Sequence, residues 1–259
     1  YKLLILYELI IFYYKSFQMV NNHSDKRVTL GLIAARKGST GIINKNLIKF
    51  KKKEITKIAV SLAINCKLID KVILSSDSNK ILNLAKKNKK LIKLKRSKNL
   101  SKDATPMLPV IKNAINYFEK ISNSKVSKLV IFDPTSPLRS MKDIIAAIKN
   151  FNKNKPDLLL SAHESTHNPY FSMVEKKGKY YKLSKNSISD PGSRQKAPKV
   201  YEINTIVWIY SRKAIFSEKK RIPKKTLIFK TPVDRSIDID TKDDINRIYF
   251  YLNKKKYAK

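Results

Sequence analysis

The sequence predicts an α/β fold with a mostly parallel central sheet flanked by helices. Two observations carry that expectation. From Arg27 onward, apolar runs of strand length alternate with stretches whose apolar residues recur every three or four positions, the pattern of successive βα units. The loop after the first such run, at the carboxyl end of a strand where open α/β sheets bind ligands, also holds two of the five glycines, Gly38 and Gly41. At 259 residues the chain suffices for one such domain with a substantial core.

Taken in order, Val28 to Ala35 reads as the first strand and Arg36 to Asn46 as a loop. A helix follows from Ile55 to Cys66, with Ile58, Leu62 and Cys66 along one face. Lys71 to Ser75 is the second strand, and Ser76-Asp77-Ser78 caps a helix from Asn79 to about Lys87. Leu91 to Leu94 is a short third strand. Val110, Ile111, Ala114, Ile115 and Phe118 give Pro109 to Ile121 a helical stripe, and Lys128 to Phe132 is a buried strand ending at Asp133-Pro134. A helix from Met141 to Phe151 and a strand from Asp157 to Ala162 come next. Residues 163–200 then change character: prolines and glycines among Tyr and Lys predict hairpins and loops, and so long an irregular stretch signals an insertion with its own role. Glu202 to Tyr210 returns to the sheet, Leu227 to Phe229 is a short strand, and Thr241 caps a last helix from Asp243 to Leu252.

The domain pattern starts near Arg27, so residues 1–26 read as an extension outside the domain, with translation expected to begin at Met19. The apolar stretch from Leu3 to Tyr14 is too short to span a membrane. Net charge is +36, which in itself would suit a polyphosphate partner. Lysine supplies nearly all of it alongside abundant Ile and Asn, as codon bias toward A and T produces, and no nucleic-acid-binding module is recognisable. A single cysteine, Cys66, excludes an internal disulfide and a cysteine metal cluster, and fits a reducing cytoplasm. His23, His163 and His167 have no metal-ligand spacing.

Two segments carry chemistry. Arg36-Lys37-Gly38-Ser39-Thr40-Gly41, followed by Asn44-Lys45-Asn46, offers Arg36 and Lys45 as cations, the Ser39 and Thr40 hydroxyls, and backbone N–H groups freed by glycine. Such an inventory suits a triphosphate, while matching neither a Walker loop nor a dinucleotide fingerprint. In Ser236-Ile237-Asp238-Ile239-Asp240-Thr241, a strand would point Asp238 and Asp240 to one side, about 7 Å apart. Paired carboxylates repel unless a cation lies between them, and Mg²⁺ binds through one or two carboxylates plus water and phosphate oxygens.

These segments, with KRSKNLSKDAT, DPTSPLR and PKVYEIN, follow the order seen in the CMP-sialic acid synthetase family, which the chain resembles from about residue 27 to its end. The resemblance implies a Rossmann-like nucleotidyltransferase fold, CTP and an acidic nine-carbon sugar as substrates, Mg²⁺ on Asp238 and Asp240, and a homodimer in which residues 163–200 form an arm over the neighbouring site. It implies a reaction in which the anomeric hydroxyl of a sialic, legionaminic or related acid attacks the α-phosphorus and pyrophosphate leaves. Arg36 and Lys45 would bind the triphosphate, Ser39 would join them, and Asn46, Arg96 and Thr105 would contact the nucleotide. Asp133, Ser136, Arg194, Asn204 and Trp208 would face the sugar acid. The chain departs from the family at Asp133, where Gln is usual, at Trp208, where Tyr is usual, and in the segment from Asp103 to Met107. Transfer to another sugar acid, such as 3-deoxy-octulosonic acid, is the alternative reading; a basic nucleic-acid-binding protein is a more distant one.

Overall fold

The computed structural model describes residues 27–38, 41–50, 52–186, 192–217 and 220–257, so Ser39 and the 1–26 extension lie outside the described residues. Seven strands form the main sheet in the order β11-β7-β10-β6-β1-β4-β5. They are β1 (Arg27–Ala34), β4 (Lys71–Ser76), β5 (Leu91–Lys95), β6 (Lys125–Ile131), β7 (Leu158–Glu164), β10 (Tyr201–Ser211) and β11 (Thr226–Lys230). β10 is antiparallel to both its neighbours, and the other pairings are parallel. Small antiparallel hairpins are formed by β2 (Lys49–Phe50) with β3 (Lys53–Glu54), and by β8 (Val174–Lys177) with β9 (Tyr180–Leu183).

Strand periodicity divides the core. Leu30 and Leu32 of β1 pack with Ile111, Ala114, Ile115 and Phe118 of α3 (Met107–Ser122) and with Ile215 of α5 (Arg212–Ser217) on one face. Ile33 packs on the other face with Ala59 and Ala63 of α1 (Ile55–Asn65) and with Ile144, Ala147 and Ile148 of α4 (Met141–Asn154). A separate cluster joins Phe50 and Ile55 to Ile237, Ile239 and Ile248, seating α6 (Lys242–Tyr257) beside the β2–β3 hairpin. Thr241 caps α6 as expected, its hydroxyl accepting from the Asp244 amide at 3.3 Å.

Three expectations need correction. Helix α2 stops at Leu82 instead of running toward Lys87 (Asn79–Leu82). Its ladder tightens to an i−3 bond from Leu84 to Ile81, and a lysine-rich run follows whose charges disfavour further turns. Lys90 then leaves for the sheet, its Nζ donating to the carbonyls of Cys66 and Ile69. The irregular stretch begins two residues later than the expected start at 163, because β7 continues through His163 and Glu164 by pairing with Glu202 and Tyr201. Finally, Ser236 to Asp240 is not a strand. Its alternation survives without one, since Ile237 and Ile239 are buried while Asp238 and Asp240 turn to the opposite side.

Candidate active site

A cavity of about 290 Å³ opens beyond the carboxyl ends of β1 and β6. The β1 loop brings Arg36, Lys45 and Asn46 to it, and the stretch after β5 brings Arg96, Lys102 and Thr105. Asn46 is buried, its amide donating to the Arg36 carbonyl at 2.9 Å while its own carbonyl accepts from Thr56 at 2.7 Å, so it clamps the loop to α1. Gly41 allows the loop to run close by: a Cβ there would lie 2.7 Å from the Asp240 carbonyl oxygen.

Each leading cation is placed by a carboxylate. Arg36 pairs with Asp103, and Lys45 Nζ lies 3.0 Å from Asp240 Oδ1. Arg96 is different. It is only 6% exposed, and its Nε and Nη2 have no hydrogen-bond partner among the described residues. Burial holds its guanidinium below the ordinary arginine value; Asp77 acts the other way and Arg36 adds to the depression. Buried donors left open at a cavity wall await an anion or another acceptor.

Asp238 is held from three directions. The Ser136 hydroxyl donates to its Oδ1, the Thr205 hydroxyl donates to the same oxygen at 2.8 Å, and the Thr205 amide donates to Oδ2 at 3.1 Å. Burial raises its pKa, chiefly by penalising the charge; the hydrogen bonds from Ser136 and Thr205 oppose that rise, and Asp133 adds to it. Its loop is fixed at both ends, by the Ile239 amide on the Thr135 carbonyl at 3.0 Å and by Arg235 on Asp143 at 2.8 Å. Asp143 also closes the capping box of α4 with Ser140.

Asp133 lines the same cavity, one carboxylate oxygen taking the Thr135 amide at 3.1 Å and hydroxyl at 2.9 Å. Arg139 is buried and donates to the carbonyls of Asp133, Ser136 and Thr205. Burial lowers its pKa to about 10, against the pull of Asp133 and Asp238. Through these three carbonyls it braces the loop.

The other expected sugar contacts separate. Ser136 and Asn204 are buried supports: Ser136 holds Asp238, and Asn204 bonds Thr231 at 2.9 Å and the Ile206 amide at 3.2 Å. Trp208 lines a second cavity, of about 360 Å³, that shares Met107, Asp133 and Thr205 with the first. Arg194 lies apart, in a pocket of the 163–200 stretch with Glu164, Asn168 and Lys199. Sequence reasoning missed Thr135, Thr205 and Arg221. Thr205 adjoins the Asn204 that was singled out, but it reaches Asp238 through an irregular stretch of β10 between Ile203 and Trp208 that no periodicity announces.

A largely parallel sheet with cations and carboxylates gathered beyond its strand ends defines an α/β nucleotidyltransferase. The chain belongs to the cytidylyltransferase family, whose profile matches residues 30–257. It is 30% identical over 224 residues to the post-translational flagellin modification protein B of Campylobacter coli, covering 86% of this chain and 94% of that one. It is 32% identical over 226 residues to the CMP-N,N'-diacetyllegionaminic acid synthase of Campylobacter jejuni, covering 87% and 95%. Among solved structures, a CMP:2-keto-3-deoxy-manno-octonic acid synthetase complexed with CTP superposes with a TM-score of 0.60 at 11% identity, over 88% of this chain and 99% of that one, a likeness of fold.

Proposed function

We propose that the protein transfers CMP from CTP to a nonulosonic acid, releasing pyrophosphate. The observation that carries this reading is the first cavity, where Arg36, Lys45 and the unpartnered Arg96 converge with Asp238 and Asp240 in a chain whose relatives include a CMP-legionaminic acid synthase. Arg36 and Lys45 hold the triphosphate and receive the charge that develops on the departing pyrophosphate. Arg96 contacts the nucleotide through its open N–H groups, and Asn46 and Thr105 shape the same wall. Asp133 keeps one carboxylate oxygen to accept a hydrogen bond from the acceptor, where the two cavities meet. Positioning the anomeric hydroxyl against the α-phosphorus is the main task of this scaffold.

The donor set fits Mg²⁺. Two carboxylates reach the cavity, which suffices for an ion that completes its shell with water and phosphate oxygens, although no group of three or more ligating side chains exists among the described residues. Bound there, the ion neutralises triphosphate charge. Asp238 would hold it from a fixed, buried position and Asp240 from an exposed one, exchanging its contact with Lys45.

The 163–200 stretch serves as a dimer arm that carries Arg194 to the acid of the neighbouring subunit. Two observations support this. The β8–β9 hairpin exposes Val174, Tyr180 and Tyr181 by more than half their surface, and Arg194 sits in a pocket that shares no residue with the Asp238 cavity. No helix of the described residues is long and apolar enough to cross a membrane. The test is pyrophosphate release with CTP, UTP, ATP and GTP against sialic, legionaminic, pseudaminic and octulosonic acids. Turnover requiring CTP and a nine-carbon acid supports the reading; turnover with none of these acids refutes it.

A further inference from the structure

The turn between β4 and α2 lies between the two segments that carry the cavity's open arginines. β1 and β4 pair in parallel as far as Ala34 and Ser75, and the Ala35 amide then donates to the Ser75 carbonyl at 3.0 Å. In a parallel pair the next donor is two residues on, at Lys37, and the next acceptor is the carbonyl of Asp77. β4 has already ended at Ser76, and that carbonyl accepts instead from the ammonium of Lys95 at 2.7 Å. The Asp77 side chain takes its place, Oδ1 accepting from the Lys37 amide at 2.8 Å. A carboxylate thus supplies the last rung between β4 and the loop that bears Arg36.

The other side of the same turn holds Arg96. The Arg96 amide donates to the Ser76 carbonyl at 2.8 Å, and the preceding Lys95 bonds Asn79 Oδ1 at 2.6 Å as well as the Asp77 carbonyl. Helix capping does not account for Asp77. Ser78 is the N-cap of α2, its hydroxyl accepting from the Ile81 amide at 3.4 Å. Asp77 is not among the residues that line the cavity, yet its charge acts on Arg96, favouring the charged guanidinium against the effect of burial. The chain neighbours of Arg36 and Arg96 are therefore both anchored on this one residue, Lys37 on its carboxylate and Lys95 on its carbonyl.

We propose that Asp77 is a positioning residue, whose carboxylate holds the β1 loop, and with it Arg36, at a fixed separation from Arg96 so that both engage one CTP molecule. The inference rests on the first cavity being a CTP site and adds a residue that does not itself touch the nucleotide. The bond from Lys37 lies at the surface, so water can replace it without opening the sheet. Its loss frees the loop alone. CTP must then order that loop on binding, and the cost appears in CTP affinity and not in the affinity for the acid.

The experiment measures the KM for CTP, the KM for a nine-carbon acid and calorimetric binding of CTP in the wild type and in three replacements of Asp77. Asp77→Ala should raise both the KM and the Kd for CTP about tenfold and leave the KM for the acid within about twofold. Asp77→Asn keeps an acceptor at the same reach and should return the KM for CTP to within about threefold of the wild type, the remainder being the charge withdrawn from Arg96. Asp77→Glu keeps the charge but adds a methylene that displaces the loop, and should remain at least about fivefold impaired. A merely structural role would lower kcat with the folded fraction and leave both KM values unchanged, which overturns the proposal. A Glu variant that matches the wild type while the Asn variant does not overturns it too. If Asp77→Ala does not fold, the Asn and Glu variants decide alone. A wild-type protein that fails to bind CTP would instead refute the parent reading.

Discussion

Replacing Arg96 by methionine should stabilise the unliganded protein while weakening its hold on CTP. Two of the three guanidinium nitrogens of Arg96 are buried without a partner among the described residues. A buried unsatisfied donor costs about 1–3 kcal/mol, and methionine removes these donors while retaining most of the stem's packing. The net gain expected is about 1–2 kcal/mol, equivalent to a rise in Tm of roughly 2–8 °C for a domain of this size. Binding should move oppositely. Losing a charge-assisted contact costs about 1.5–3 kcal/mol, or roughly ten- to a hundredfold in Kd for CTP. Thermal unfolding without ligand and calorimetric titration with CTP measure the two effects separately. A variant that is destabilised yet binds CTP normally would show that Arg96 is a structural residue whose partners lie within the fold.

Asp238→Asn should remove nearly all turnover with the fold retained, and so should Asp240→Asn; full activity in either refutes the metal assignment. Because burial raises the pKa of Asp238, the acid limb of kcat/KM should lie above the ordinary aspartate value. The stability that protonated Asp238 confers is complete below the unfolded-state value and is lost as pH rises through the raised folded value, so Asp238→Asn should gain on the wild type across that interval in urea titrations. Gly41→Ala should push the loop off the Asp240 carbonyl and reduce CTP affinity at least tenfold, since a Cβ at 2.7 Å cannot be accommodated in place; unchanged affinity would refute the close approach. Mixing inactive Arg194→Ala and Asp238→Asn chains should restore part of the activity if the arm serves its neighbour. No recovery after demonstrated subunit exchange would confine the arm to its own chain.

The sheet was readable because burial imposes a period that propensity and turn residues reinforce, as in Leu30, Leu32 and Ile33 of β1 and the apolar stripe of α3. The alternation of Ile237 and Ile239 was equally visible, and it set the facing of Asp238 and Asp240 even where no strand formed. What stayed hidden depends on contacts between distant segments. Thr205 meets Asp238 across 33 residues, Arg36 meets Asp103 across the sheet edge, and Arg221 reaches Trp208 from a loop with no motif of its own. Ser136 and Asn204, expected to face the sugar acid, also hold neighbouring side chains, Asp238 and Thr231, a role that no motif announces.

Phosphorus NMR of the reaction mixture reports directly on transfer at the α-phosphorus of CTP. With CTP, Mg²⁺ and a nine-carbon acid, the three triphosphate signals should give way, in equal amounts, to one phosphodiester and pyrophosphate, and the Asp238→Asn enzyme should leave them unchanged. Release of inorganic phosphate with formation of CDP, or consumption of CTP without a phosphodiester to the acid, would contradict it.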